Sequence, residues 1–248
     1  MKKIAILAAG KGTRMQSELP KVLVDLNGRP MIHYLLDAAI SSGVDDHPIV
    51  VVSPHNQDVI KEYLQGYDVI YTVQEQQLGT GNAFASIRPA LDPGVDTILN
   101  FYGDHPFVSA ESIRQIAEGH QGQLSMVTTR LEDFEDWRRN LYHWGRIIRT
   151  GGRISQIIEF KDASDEVKEI KEVNPGFFVF DRYWVFNNID RLTDNNSQHE
   201  YYLTDMVKIA FDEGVKINDL SIKVEEVIGI NSQEELQIAR QVLTARGA

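Results

Sequence analysis

The chain has 248 residues, 42% of them hydrophobic and 25% charged, which suits one large α/β domain with a small elaboration. Thirty-six acidic residues against 25 Lys and Arg give a net charge of −11, which argues against a nucleic-acid partner. With no cysteine, disulfide and thiolate chemistry are excluded, and a cytoplasmic location is expected. No segment has the length of a membrane span, and Gly10–Arg14 interrupts the apolar start too early for a signal peptide.

Strands and helices alternate through the first half. KIAILAA (3–9) reads as a buried strand, and PMIHYLLDAAISSG (30–43) as a helix with Pro30 in its first turn and Gly43 at its end. HPIVVVS (47–53), YDVIYTV (67–73) and VDTILNFYG (95–103) read as further strands. QDVIKEYLQG (57–66), NAFASIRPAL (82–91) and SAESIRQIAEG (109–119) read as helices, the last capped by Ser109. Such alternation predicts a parallel sheet wrapped by helices. LSMVTTR (124–130), GRIIRTGGRISQIIEF (145–160) and EVNPGFFVF (172–180) then read as strands, with a Gly151–Gly152 hairpin. A helix is expected within 198–214, short strands at 215–220 and 222–230, and a closing helix at 232–246. Without repeats or an evident linker, residues 1–248 read as a single domain.

The loop after the first strand, LAAGKGTRMQSELPKVL (7–23), combines Gly10 and Gly12 with Lys11, Arg14 and Lys21. A dinucleotide fingerprint fails because Met15 stands where a third small residue is needed and the next strand lacks an acidic end. A P-loop fails for want of Gly-Lys-Ser/Thr after a four-residue gap. Two readings remain: a loop whose bare amides and cations hold an anion, or a glycine turn with solvated lysines. The first thirty residues favour the anion, with Lys2, Lys3, Lys11, Arg14, Lys21 and Arg29 against only Glu18 and Asp25.

LAAGKGTRM…LPKVL resembles the signature of the nucleoside-triphosphate:sugar-1-phosphate nucleotidyltransferases. It is most similar to the uridyltransferase half of the bacterial bifunctional N-acetylglucosamine-1-phosphate uridyltransferase/acetyltransferases. The resemblance continues in order through QEQQLGTGNA (74–83), FYGDHP (101–106), WGRI (144–147), IIEFKDAS (157–164), EVNPG (172–176), EYYLTDM (200–206) and VIGIN (227–231). It implies a Rossmann-like, mixed but mainly parallel sheet flanked by helices, with a β-hairpin elaboration. The implied reaction is Mg2+-dependent uridylyl transfer from UTP to N-acetylglucosamine 1-phosphate, in which polyanions must be brought together.

The resemblance also implies the site residues. Arg14 and Lys21 act on phosphate oxygens as the catalytic cations. Leu7, Ala8, Ala9, Gly10, Lys21, Gln74, Gly79 and Thr80 bind nucleotide; an amide such as Gln74 suits the uracil edge because it both donates and accepts. Asp104 and Asn231 are the Mg2+ ligands, hard oxygen donors that leave room for water and phosphate. Tyr102, Gly103, Asp104, Gly145, Glu159, Asn174, Tyr202, Thr204 and Asn231 line the sugar side. Taken without the resemblance, Asp104 reads as a turn or cap residue, Asn231 and Thr80 as helix caps, Tyr202 as core and Glu159 as surface. His105 and His143 have no partner at metal-ligand spacing and read as non-catalytic.

Three departures lie on the sugar side. Pro175 replaces the family's Thr in the Asn-x-Gly turn, and WRRNLYHWG (137–145) replaces Gly-Tyr-Gly. Val227, or Ile228 by a shifted count, replaces an acidic residue before Asn231. Hence another sugar 1-phosphate, such as that of glucose or N-acetylmuramate, dTTP as donor, or a non-catalytic sugar-nucleotide-binding regulatory domain remain as alternatives. The chain stops soon after the closing helix without hexapeptide repeats, so an acetyltransferase β-helix and the trimer built on it are not expected; the oligomeric state is left open.

Overall fold

The computed structural model describes residues 1–10, 12–15 and 17–245. A seven-stranded sheet forms the centre, in the order β13-β7-β12-β6-β1-β4-β5. These strands are β1 (Lys2–Leu7), β4 (Ile49–Val52), β5 (Ile70–Val73), β6 (Thr97–Tyr102), β7 (Leu124–Val127), β12 (Phe178–Asp181) and β13 (Ile217–Leu220). β1 runs parallel to β4 and β6, β4 to β5, and β13 to β7. Only β12 opposes its neighbours, which makes the sheet mixed and mainly parallel.

Both faces of the sheet are covered, and alternate residues of each strand serve opposite faces. Ile4, Ile6, Val50, Val52, Leu99 and Phe101 pack under α1 (Met31–Ser41), α2 (Gln57–Tyr63) and α4 (Ala110–Gly119). Ala5, Leu7, Ile49, Val51 and Ile98 pack under α3 (Thr80–Ala85), α6 (Arg182–Asn188) and α7 (Met206–Asp212). The chain leaves β1 through α1 to β4 and α2 to β5, then returns through α3 to β6 on the other side of β1. That reversal opens a crevice beyond the carboxyl end of β1, where open α/β sheets bind ligands.

A four-stranded antiparallel sheet, β10-β9-β11-β8, sits beside this frame: β8 (Thr129–Arg130), β9 (Arg146–Thr150), β10 (Arg153–Ile158) and β11 (Glu172–Val173). Gly151 (φ +58°) and Gly152 (φ +80°) turn the expected β9–β10 hairpin, using the left-handed backbone that glycine adopts without strain. Smaller elements are the ladder of β2 (Asp25–Leu26) with β3 (Arg29–Pro30), and α5 (Asp165–Lys168). α8 (Gln233–Ala245) closes a third apolar cluster with Met15, Met31, Phe107 and Ile230. No described helix is long and apolar enough to cross a membrane.

Several expected boundaries move for local reasons. α1 begins one residue after Pro30, which stands at the cap instead of in the first turn. α3 stops at Ala85 and yields to a 3-10 turn at Arg88–Ala90, because Pro89 removes a donor and crowds the preceding turn. Residues 198–202 are not helical: Tyr201 N–H and C=O are bonded to Leu78 O and Gly81 N instead. The strand expected at 222–230 is replaced by a 3-10 turn, Val224–Val227, where Glu226 turns inward to accept Ser109 N–H at 3.0 Å. Ser109 itself caps α4 as expected, through Ser112 N at 3.1 Å.

Candidate active site

The crevice at the end of β1 contains a cavity of about 430 Å3. Leu7, Ala8, Ala9, Gly10, Arg14, Lys21, Gln74, Gly79, Thr80, Tyr102, Asp104 and Asn231 all border it. The nucleotide and cation residues expected from the sequence are therefore brought together from β1, β6, the start of α3 and four connecting segments. Lys11 lies outside the described residues.

Each glycine of the opening loop has its own reason. A Cβ on Gly10 would meet no protein atom within 4 Å, so nothing internal demands glycine there, and its bare backbone faces open space. Gly12 (φ +60°) lies so close to Lys21 that a Cβ would come within 2.5 Å of the Lys21 Cβ. It thus admits both the left-handed turn and the close approach of Lys21. The 3-10 turn Thr13–Met15 then presents an exposed Arg14 while Met15 is fully buried.

Lys21 sits at the centre of the charges. Its Nζ donates to Asp104 Oδ2 at 2.5 Å and to Asn231 Oδ1 at 2.9 Å. Two hard oxygen atoms from distant parts of the chain thus converge on one cationic point. Ile230 N–H donates to Asp104 C=O at 3.0 Å and fixes the two segments against each other. Burial alone would raise the Asp104 carboxyl, but Lys21 and His105 outweigh it and hold the group well below the usual carboxylate range. His105 thus touches a site residue, Nδ1 to Asp104 Oδ1 at 3.1 Å, a contact that metal-ligand spacing could not reveal. Asn231 does not cap α8, as its sequence context alone suggested; Ser232 Oγ takes the Glu235 N–H and leaves the Asn231 oxygen to Lys21.

Gln74 is almost fully buried, and its Nε2 donates to Gly79 O at 3.0 Å and Asn82 Oδ1 at 2.8 Å. Because a backbone carbonyl only accepts, the first bond sets the orientation of the amide. The remaining amide atom is an acceptor. Gly79 (φ +115°) is held against the Tyr201 backbone, where a Cβ would approach Tyr201 O to 2.6 Å. Thr80 Oγ1 accepts Leu203 N–H at 2.9 Å, so it joins this loop to the 200–206 segment rather than acting as a simple helix cap.

Of the expected sugar-side residues, Gly103, Gly145, Glu159, Asn174, Tyr202 and Thr204 do not border this cavity; they form a second cluster joined to it through Tyr102. Thr204 Oγ1 donates to Glu159 Oε1 at 3.0 Å, and a Cβ on Gly145 would stand 3.3 Å from both Glu159 oxygens. Asn174 N–H donates to Gly145 O at 2.9 Å, and Asn174 Oδ1 accepts Gly176 N–H at 3.0 Å. Gly176 in turn lies over the Tyr102 ring, and Gly103 is packed on Val22. Tyr202 is close by but nearly buried, its hydroxyl accepting from Gln198 Nε2 at 2.8 Å. Burial pushes the Glu159 carboxyl up, eased by Thr204 and reinforced by Asp205, Asp162 and Glu200. Burial likewise takes the Tyr202 hydroxyl to about 12 and raises Tyr102, the latter also under the charges of Glu159 and Asp104.

The unusual 137–145 segment is held by a fully buried Arg146. Its guanidinium donates to Trp144 O at 2.5 Å, Tyr142 O at 2.8 Å and Lys168 O at 2.9 Å, flanked by Phe134 and Phe160. Sequence reasoning passed over Gln77 and Glu200, which also border the cavity; Gln77 Nε2 donates to Ala9 O. Both lie within stretches that carry the resemblance, but only their contacts single them out.

Comparison with known proteins bears on the family and the fold. The description of a MobA-like NTP transferase domain matches residues 4–195. The bifunctional protein GlmU of Clostridium novyi (strain NT) is 35% identical over 248 residues, covering 99% of this chain and 53% of that protein. The chain therefore spans about half the length of this curated relative. Among solved structures, a Bacillus anthracis protein assigned as a glucose-1-phosphate thymidylyltransferase, in complex with a sucrose, aligns with a TM-score of 0.76 at 19% identity. The alignment covers 98% of this chain and 95% of that one. The 4-diphosphocytidyl-2C-methyl-D-erythritol synthase of Anaerococcus prevotii DSM 20548 aligns with a TM-score of 0.68 at 18% identity, covering 98% of both. These structures share the fold, and on the sequence match the chain belongs to the MobA-like NTP transferase family.

Proposed function

We propose that the chain transfers a uridylyl group from UTP to a sugar 1-phosphate, with N-acetylglucosamine 1-phosphate as the acceptor, giving UDP-N-acetylglucosamine and pyrophosphate. The observation that carries this reading is the convergence of Asp104 Oδ2 and Asn231 Oδ1 on the Lys21 ammonium, beside the unobstructed backbone of Gly10. That donor pair fits a divalent cation such as Mg2+, which would supply charge neutralisation on phosphate oxygens when bound.

The acceptor phosphate is already ionised near neutral pH, so the reaction needs no general base. Its oxygen forms a bond to the α-phosphorus, and the bond from that phosphorus to the bridging oxygen breaks. Pyrophosphate leaves with the electron pair. Arg14 and Lys21 hold the charge on the phosphates, and the open space beside Gly10 leaves room for a phosphate oxygen to approach the backbone. Gln74 offers an acceptor to a base with a ring N–H, which supports uracil or thymine over cytosine. Glu159, Thr204 and Asn174 receive and orient sugar hydroxyls.

Nothing in the Gln74–Gly79 pair reads the C5 position, so dTTP is the competing donor. The sequence resemblance to the N-acetylglucosamine-1-phosphate uridyltransferases supports UTP and the N-acetylated sugar. The Trp144 and Pro175 substitutions leave the glucose and N-acetylmuramate phosphates as competing acceptors. A panel of UTP, dTTP, CTP and GTP against these sugar 1-phosphates, read by pyrophosphate release with Mg2+, tests the reading. UTP with N-acetylglucosamine 1-phosphate is expected to lead. No release from any pair would establish the binding-domain alternative.

A further inference from the structure

The first turn of α8 contains a buried carboxylate that the proposed reaction does not use. Glu235 is 9% exposed. Its N–H is already satisfied by Ser232 Oγ, while its Oε2 reaches back past Ser232 to accept the backbone N–H of Asn231. In a capping box the returning carboxylate takes the N–H of the capping residue itself. Here it takes the N–H one residue earlier, on the residue whose side chain meets Lys21. The same turn sends Gln233 Nε2 to Met15 O at 2.6 Å, so it also braces the segment bearing Arg14.

Without this contact the Asn231 N–H would be free to seek another partner, and the peptide that sets the direction of its side chain could turn. With it, the backbone is held from both sides: Ile230 N–H on Asp104 C=O, and Asn231 N–H on Glu235. We infer that Glu235 is a positioning residue that aims the Asn231 oxygen at the point shared with Asp104 and so sets the affinity of this pair for a divalent cation. This rests on the proposed reading of Asp104 and Asn231 as cation ligands.

Reach and charge separate in two variants. Glu235→Gln keeps the length and an acceptor oxygen; Glu235→Asp keeps the charge but is one methylene too short. Mn2+ alone, followed by electron paramagnetic resonance, reads cation binding without turnover. Glu235→Asp is expected to weaken Mn2+ binding about 10- to 100-fold, the loss typical of removing a group that orients a metal ligand. Glu235→Gln should stay within about threefold of the parent. Ser232→Ala, which removes the helix cap and leaves Glu235, controls for general destabilisation: its melting temperature should fall with Mn2+ affinity unchanged. Equal Mn2+ affinity in Glu235→Asp and the parent, or an equal loss in Glu235→Gln or Ser232→Ala, would overturn the inference and leave the proposed reaction standing. A parent protein that binds no Mn2+ would overturn both.

Discussion

Replacing Lys21 by methionine should tighten cation binding while abolishing efficient turnover. The Lys21 ammonium makes two contacts at the point where Asp104 and Asn231 converge, one of them with a carboxylate at 2.5 Å. A divalent cation entering that point must first displace the ammonium. Hydrogen bonds to charged groups contribute about 1.5–3 kcal/mol, so removing this competitor should raise Mn2+ affinity roughly 10- to 150-fold. Arg14→Met removes the same formal charge from an exposed position beside the cavity that is not seated between the ligands, and should change Mn2+ affinity less than about threefold at physiological salt. Mn2+ titration of the nucleotide-free protein measures both, with pyrophosphate release as the companion assay. An unchanged or weaker Mn2+ affinity in Lys21→Met, or an equal gain in Arg14→Met, would refute displacement.

Gly10→Ala, whose Cβ meets no protein atom within 4 Å, should leave the melting temperature within about 2 °C while weakening UTP binding at least about tenfold; calorimetry reads both. Gly12→Ala should lower the melting temperature itself, because the +60° backbone and the Lys21 side chain leave no room for a Cβ. Gln74→Met, which removes the buried acceptor, should reduce the kcat/KM preference for UTP over CTP at least about tenfold. The depressed Asp104 group contributes stability that is present above the unfolded carboxyl value of about 3.9 and is lost as pH falls toward the folded value. The raised Glu159 group has the opposite slope, its contribution present in acid and lost as pH rises through the folded value. Melting curves against pH should therefore show a shallower acid loss for Asp104→Asn, and less decline on the alkaline side of the carboxyl range for Glu159→Gln.

The buried runs at 4–7 and 49–52 are apolar on both faces, so central strands were legible in the sequence. Gly151–Gly152 announced the hairpin through its backbone demands. The reversal of β12 was not written in local pattern, because Phe178–Phe180 would be buried in either direction; the family resemblance implied a mixed sheet without saying which strand opposes the rest. Pro89 ends α3 early although the apolar spacing of 82–91 is helical throughout, because its missing N–H outweighs the pattern. The 222–230 strand failed because its apolar residues divide between two clusters, Ile222, Val224 and Val227 in the first and Ile228 and Ile230 in the third, without a ladder partner. At the site, the opening loop gave its cations by proximity in sequence. The Lys21–Asp104–Asn231 meeting spans 210 positions and depends on the sheet reversal, so residue types alone left Asp104 and Asn231 as caps. Glu235 gave no signal, since a glutamate in a first helical turn is ordinary.

The most direct test is a crystal structure of the protein with UTP and Mn2+, using anomalous scattering to locate the metal. The account predicts a manganese peak bound by Asp104 Oδ2 and Asn231 Oδ1, the triphosphate along Gly10–Arg14, and Lys21 moved from the oxygen pair onto phosphate. A triphosphate seated elsewhere, or manganese bound without either of those oxygens, would contradict it.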